Sequence, residues 1–342
     1  MAPINNPRVL FNQYPTGYPV PGETTVYDTT AQIDLDAPIE GGILIKVLVL
    51  SIDPYQRGRM RKPTGSSYVG GFVIGQPISN FGVGVVLRSE NPKVKTGDHV
   101  YGVLNYETYS VIQDVSSLRV LNNPEKLPWS TFVGIAGMTG QTAYVGMKLF
   151  SKAKKGETIF VTAAGGAVGA TVLQIAKSEG LKVIASAGSD EKVAFAKELG
   201  ADVAFNYKTK DTRETLQELG HGIDIYWDNT LGETLEIAID ALNTSGRIIN
   251  CGSISGYNDQ ERYGVKNLGL IVGKRLSLNG FIVSDHQDLH DEFYGDMPNK
   301  VASGLIKHRE HIYRGLKEAG QAILDVLKGD NKGKVVIVVT DE

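Results

Sequence analysis

The sequence predicts an α/β chain of two domains, a β-rich, barrel-like one followed by a doubly wound parallel sheet, and two observations predict it. From about residue 7 to 127, short apolar or alternating runs at 42–52, 82–87, 99–103 and 109–112 are broken by Gly, Pro and Asp. From near Trp129 the rhythm changes, and strand-like runs alternate with helical segments. A length of 342 residues exceeds one ordinary domain, and a hydrophobic fraction of 42% can fill a sizeable core.

The second stretch reads as a strand at 158–163, a helix from about Gly166, a strand at 182–187 and a helix from about Asp190. Strands at 203–206 and 222–228, a helix from about Glu233, and strands at 247–251 and 277–283 complete it. Six strands with crossover helices at this spacing form one Rossmann-type sheet. After Met297 a helical stretch at 318–328 leads through Gly329-Asp-Asn-Lys-Gly-Lys334 into a terminal strand at 335–340. A lone strand after a complete sheet needs a partner, and the first domain is the expected host. The divisions expected are 1–127, 128–303 and 304–342.

A net charge of -3, with 35 Lys and Arg against 38 Asp and Glu spread along the chain, gives no basic field for nucleic acid or an anionic membrane. The single cysteine, Cys251, can form neither an intramolecular disulfide nor a Cys-rich zinc site. Residues 1–14 hold no apolar run long enough for a signal peptide or a membrane span, so a cytoplasmic location is expected.

The strongest local signal is Val161-Thr-Ala-Ala-Gly-Gly-Ala-Val-Gly169, after a β-branched strand and before a helical run. A dinucleotide's pyrophosphate needs close backbone approach and a helix N-terminus, which Gly165, Gly166 and Gly169 supply. Such a turn also serves tight packing, but the alternating context selects binding. The next strand ends Ala185-Ser-Ala-Gly188 without the carboxylate that NAD sites carry there, and Lys192 opens the following helix, where it can meet a 2′-phosphate. NADP is therefore favoured. The alternative keeps Lys192 solvated and makes Asp190 an N-cap able to serve a 2′-hydroxyl.

Zinc-dependent alcohol dehydrogenases hold their metal with Cys and His of the barrel domain, where this chain has no Cys and only His99. No metal is expected. His286 and His290, four apart, share a solvated helix face in this reading, and His308 and His311 are likewise structural. A hydride enzyme without metal must hold the developing oxyanion by hydrogen bonds, so tyrosines on loops become candidates. Tyr257 follows Cys251-Gly-Ser-Ile-Ser-Gly256 at the carboxyl edge of a Rossmann strand, and Tyr55 lies in Ser51-Ile-Asp-Pro-Tyr-Gln-Arg57 after a first-domain strand. Either can equally be a tyrosine of a domain surface.

Seven collinear segments then carry a resemblance over nearly the whole chain: 53–60, 137–144, 163–169, 187–192, 205–208, 251–257 and 329–334. Together they resemble the zinc-independent branch of the medium-chain dehydrogenase/reductase family, with its prostaglandin reductases, plant double-bond (2-alkenal) reductases and bacterial curcumin reductase. The resemblance implies a GroES-like barrel beside the Rossmann domain, NADP(H) as cofactor, and a homodimer. It implies that Gly165, Gly166, Ala167 and Val168 carry the pyrophosphate, and that Lys192 and Tyr207, beside Gly188, contact the 2′-phosphate. By the same implication Asn229, Cys251, Ser253 and Tyr257 line the ribose and nicotinamide, Phe281 and Val283 flank the ring, and Asn331 reaches back from the terminal segment. Met138 and Thr142 face the same cleft. Tyr257 and Tyr55 are the implied catalytic and substrate contacts. Relatives often have Ala-Gly where this chain has Gly165-Gly166, a permissive departure.

The expected reaction is NADPH-dependent hydride transfer to the β-carbon of an enal or enone, in a cleft shaped by the loops at 55–68 and 257–270. Whether tyrosine or water protonates the α-carbon stays open. So do two alternatives, an NADP-dependent alcohol or carbonyl oxidoreductase and a non-catalytic NADPH-binding protein.

Overall fold

The computed structural model describes residues 2–62, 67–259 and 261–342. Residues 63–66 and 260, which belong to the two loops expected to shape the substrate site, lie outside the described residues. The chain divides into two compact units, Met1–Gly134 with Glu310–Glu342, and Ile135–Arg309.

In the first unit, β1 (Ile4–Asn5) pairs with β4 (Gln32–Ile33), and β2 (Arg8–Phe11) with β3 (Thr25–Asp28). The main sheet is built on β5 (Ile43–Ile52), whose run of Ile, Leu and Val is buried almost throughout, as a strand covered on both faces must be. After the short helix α1 (Gln56–Arg59) come β6 (Ser79–Ser89), β7 (His99–Asn105), β8 (Tyr109–Ile112) and β9 (Arg119–Val120). β6 lies antiparallel to β5 and to β7, β9 joins β7, and β8 pairs with β5. Two register shifts between β5 and β6 bend the sheet into its barrel-like curve.

The second unit opens on α2 (Met138–Gly146), which runs into a π-helical turn at Met147–Ser151. Its six-stranded sheet is wholly parallel and contains β10 (Thr158–Val161), β11 (Lys182–Ala187), β12 (Val203–Asn206), β13 (Ile223–Asp228), β14 (Leu242–Asn250) and β15 (Ser277–Gly280). The spatial order β12-β11-β10-β13-β14-β15 is that of a Rossmann sheet, with its topological switch between β10 and β13. The crossovers are α3 (Ala167–Ser178), α4 (Asp190–Glu198), α5 (Thr212–Glu218) and α6 (Gly232–Ala241); α7 (Leu270–Gly273) precedes β15, and α8 (His290–Ala302) follows it. Gly169, Val172, Leu173 and Ala176 of α3 are buried at the i, i+3, i+4, i+7 spacing of one helix face.

Three expected strand ends are corrected. β10 stops at Val161, β14 at Asn250 and β15 at Gly280, because the residues beyond each turn away to close loops at the carboxyl edge. The common helix face of His286 and His290 does not form: His290 opens α8, while His286 lies before it with its ring 6.0 Å from Phe150. The helix expected around these histidines begins only at His290 and runs on to Ala302, with Pro298 inside it.

The chain then returns to the first unit through β16 (Glu310–Arg314), α9 (Ala319–Lys328) and β17 (Lys334–Val338). β17 pairs antiparallel with β5, and on its other side it gains β16, a parallel neighbour the sequence reading did not foresee. No helix among the described residues is long and apolar enough to cross a membrane.

Candidate active site

The turn after β10 is shaped by its backbone. Ala163 takes φ +50°, a left-handed conformation uncommon for a residue with a Cβ. The Gly166 N–H donates to Ala163 O at 2.9 Å, and the Ala164 N–H donates to Ser186 O of β11 at 3.0 Å. Gly166 is the N-cap of α3 and offers no side-chain cap, so no capping side chain competes for the first amides of the helix. A Cβ on Gly169 would stand 2.5 Å from Ala163 O and 2.8 Å from Ala164 Cα, an approach only glycine permits. Ala167 and Val168 form the first turn between these glycines. The cradle fits a pyrophosphate in shape and in donor chemistry.

At the ends of β11 and β12, Lys192 lies against this turn: a Cβ on Gly165 would meet Lys192 Cβ at 2.7 Å and Cγ at 2.9 Å. The N-cap of α4 is Ser189, whose hydroxyl accepts from the Lys192 N–H at 3.4 Å, which sets aside the alternative that Asp190 caps the helix. Asp190 instead accepts from Asn206 Nδ2 at 2.8 Å. Tyr207 donates its N–H to Ala187 O at 3.2 Å, and its hydroxyl lies 3.0 Å from the point a Gly188 Cβ would occupy. Gly165, Gly188, Lys192 and Tyr207 thus line one corner, cationic and half-open, as a 2′-phosphate requires.

A third group stands at the ends of β13 and β14. Asp228 is fully buried, yet its Oδ1 accepts from Tyr226 Oη at 3.0 Å and from the N–H groups of Thr230 and Leu231 at 2.9 and 2.7 Å. Asn250 Nδ2 donates to its other oxygen at 3.2 Å. Burial holds the Asp228 carboxyl above the usual range, against the pull of the Leu231 and Thr230 amides. The carboxylate folds the 228–231 turn and so sets Asn229. Asn229 donates its N–H to Thr162 Oγ1 at 3.0 Å and its Nδ2 to Thr162 O at 2.6 Å, and accepts from Trp227 Nε1 at 3.2 Å.

The Cys251 N–H donates to Asp228 O at 2.8 Å, and its thiol is pushed up to about 12, by burial first and by Asp228 second. A Cβ on Gly252 would lie 3.2 Å from Asn229 O and 3.8 Å from Tyr257 Oη. The Tyr257 hydroxyl therefore stands over the end of β14, carried there by the 3-10 turn Ile254–Gly256 that Ser253 begins. Phe281, just past β15, packs edge-on against the buried Trp227 with centroids 6.2 Å apart, and Val283 opens the next turn. In α2, Thr142 Oγ1 donates to Met138 O at 2.8 Å.

In the first unit, Tyr55 caps α1 and donates its hydroxyl to Asn80 Oδ1 at 2.6 Å. Asn331 lies in the turn before β17 and donates to Gly333 O at 2.7 Å. His99 stacks on Trp129 at 3.9 Å between centroids, with Nε2 2.8 Å from Glu342 Oε1. Among the described residues no group of three or more His, Cys, Asp or Glu is placed to hold a metal ion.

Two family descriptions match the chain: "N-terminal domain of oxidoreductase" over residues 8–120 and "Zinc-binding dehydrogenase" over 167–298. The NADP(+)-dependent 2-alkenal reductase of Nicotiana tabacum is 40% identical, over 99% of this chain and 99% of its own. The chain belongs to the medium-chain dehydrogenase/reductase family. In the same family the (+)-pulegone reductase of Mentha piperita is 36% identical over 99% of this chain and 100% of its own. CurA of Vibrio vulnificus, solved in complex with NADPH, superposes with a TM-score of 0.87 at 33% identity, covering 98% of this chain and 100% of that one.

Within this member of the medium-chain dehydrogenase/reductase family, the fold brings three sets of expected residues to one edge of one sheet. They are Gly165–Val168 at the α3 N-terminus, Gly188 with Lys192 and Tyr207, and Asn229 with Cys251 and Tyr257. Tyr55 and Asn331 stand in the other unit. Thr162, Trp227 and Asp228, which fix Asn229, were not singled out from sequence. A Trp-Asp-Asn run ending a Rossmann strand was the available signal, but an apolar strand with an acidic end looks like an ordinary strand terminus.

Proposed function

We propose that this oxidoreductase uses NADPH to reduce the carbon–carbon double bond of α,β-unsaturated aldehydes and ketones, with hydride added at the β-carbon and without zinc. The observation that carries this reading is the Tyr257 hydroxyl over Gly252, on the same carboxyl edge as the uncapped N-terminus of α3. Bound NADPH supplies the hydride. The α3 amides hold its pyrophosphate, and Lys192 with Tyr207 holds its 2′-phosphate. Asn229, immobilised by Thr162 and Trp227, borders the ribose. As negative charge moves onto the carbonyl oxygen, Tyr257 donates to it directly or through the ribose, which stabilises the enolate. The activities for which the tobacco and mint relatives are named support the same reaction class.

The test is product identity. The protein is mixed with NADPH or NADH and a 2-alkenal, benzylideneacetone or a saturated aldehyde. Saturated carbonyl products formed with NADPH are expected, whereas alcohol products would overturn the double-bond assignment.

Lys192→Ala is expected to lower kcat/KM with NADPH by about 10–100-fold, the worth of a charge-assisted phosphate contact, while kcat/KM with NADH changes little. An equal loss with both cofactors would remove Lys192 from the 2′-phosphate.

We further propose a homodimer. β15 is the last strand of its sheet, and Leu268, Leu270, Val272 and Leu278 beside it are exposed. Light scattering after gel filtration should give twice the 37.0 kDa chain mass; a single-chain mass at micromolar concentration would reject the dimer.

A further inference from the structure

The bond between Tyr55 and Asn80 has a direction that its surroundings dictate. Asn80 is fully buried. Its Nδ2 donates to Ser51 O at 2.9 Å and to Asp53 Oδ2 at 3.0 Å, a carbonyl and a carboxylate oxygen. Its Oδ1 accepts the Phe81 N–H at 2.8 Å, a group that only donates. Turning the amide over would set NH2 against that N–H and an oxygen against two acceptors. Oδ1 therefore faces Tyr55, and the phenol hydrogen must point at it.

The acceptors that fix Asn80 are themselves fixed. Lys334 Nζ donates to Asp53 Oδ1 at 2.7 Å, to Ser51 Oγ at 2.6 Å and to Ile52 O at 2.8 Å. Ser51 donates its hydroxyl to Asp53 Oδ2, and Tyr106 Oη donates to Ser51 O at 2.5 Å. The charged groups acting on the phenol are Asp53 and the Arg59 guanidinium, with Tyr68 also near. Burial and Asp53 push its ionisation well above the ordinary tyrosine range, and Arg59 opposes them.

We propose that Asn80 is a positioning residue that commits the Tyr55 hydroxyl hydrogen, so that Tyr55 meets the substrate as a fixed ring surface, and another group protonates the α-carbon. The proposal rests on the double-bond reading and specifies one residue's role in it. A phenol already donating to a buried amide must break that bond before it can serve as an acid. Abandoning it would leave Asn80 Oδ1 one donor short in a buried site.

The experiment uses the full chain carrying 13C at tyrosine Cζ, with the Tyr55 signal assigned by its loss in Tyr55→Phe. Raising the pH to 11 should leave the Tyr55 phenol protonated, above the value of about 10 for a free tyrosine, and Asn80→Ala should bring its ionisation down. With NADPH and an enone, Tyr55→Phe should raise KM by about tenfold, lower kcat by less than about fivefold, and keep the solvent deuterium isotope effect on kcat. Asn80→Ala should raise KM similarly and add nothing in the Tyr55→Phe background. Overturning results are a phenol that ionises near pH 10 or below, or a fall in kcat of about a hundredfold in Tyr55→Phe with the isotope effect lost. If Asn80→Ala fails to fold, Asn80→Leu, of similar volume and without an acceptor, takes its place in the titration, and the Tyr55→Phe kinetics still decide whether Tyr55 is the acid. If the wild-type protein binds NADPH but reduces no enone, the reaction reading falls, while the fall of the Tyr55 ionisation in Asn80→Ala still decides whether Asn80 commits the hydrogen.

Discussion

Lys334→Met is expected to destabilise the protein by about 3–5 kcal/mol, a larger effect than any other single replacement considered for stability. Lys334 and Asp53 are only 4% exposed each, and the ammonium is the cation facing that carboxylate at 2.7 Å. Burial holds the Lys334 ammonium below its usual range, while the neighbouring Asp53 charge pulls it back. Methionine keeps the stem but leaves the carboxylate with hydrogen bonds from Ser51 and Asn80 and no opposite charge at contact distance. A buried charge stripped of its partner costs far more than an exposed pair contributes. The same lysine ties β17 to the end of β5 through Ile52 O, so the loss also frees the returning segment. Thermal unfolding of the variant should fall by on the order of 10 °C. Pairing it with Asp53→Asn should recover a large part of the loss, because no charge is then stranded. An Lys334→Met protein as stable as wild type would mean that the ion pair contributes nothing to stability.

Tyr257→Phe is expected to lower kcat by about 100–1,000-fold, the range for removing one preorganised donor to a developing oxyanion. The Ile254–Gly256 turn carries the ring and Gly252 passes close to its hydroxyl, so phenylalanine is expected to leave the position of the ring unchanged. NADPH affinity should stay within about threefold, since the pyrophosphate and 2′-phosphate contacts lie on other loops. The measurement is kcat with an enone beside the dissociation constant for NADPH from fluorescence. Unchanged turnover would remove Tyr257 from the chemistry. A matched loss of cofactor binding would make it a structural element of the nucleotide pocket.

The Rossmann sheet is legible in the chain because strands buried on both faces read as continuous apolar runs between turn residues, and β11 falls where such a run does. The glycine turn and the lysine after β11 are legible for a similar reason, since anion binding at a helix start needs small residues and a cation at short, fixed spacing. Tyr207 carries no such local mark and enters only through the family resemblance.

What escapes a linear reading depends on distant partners. β16 is a short mixed segment, Glu-His-Ile-Tyr-Arg, that becomes a strand because the outer edge of β17 is available to it. β10 ends early because Thr162 turns to bond Trp227 and Asn229 across the sheet. Asp228 looks like a surface acid at a strand end, yet five donors from its own strand and turn and from β14 enclose it. Asp53 and Lys334 are 281 residues apart, and neither position announces the other. Periodicity and turn chemistry act over a few residues and are written into the chain. The pairing of buried charges, and the direction of a hydrogen bond such as Tyr55 to Asn80, exist only once remote segments have excluded water from one place.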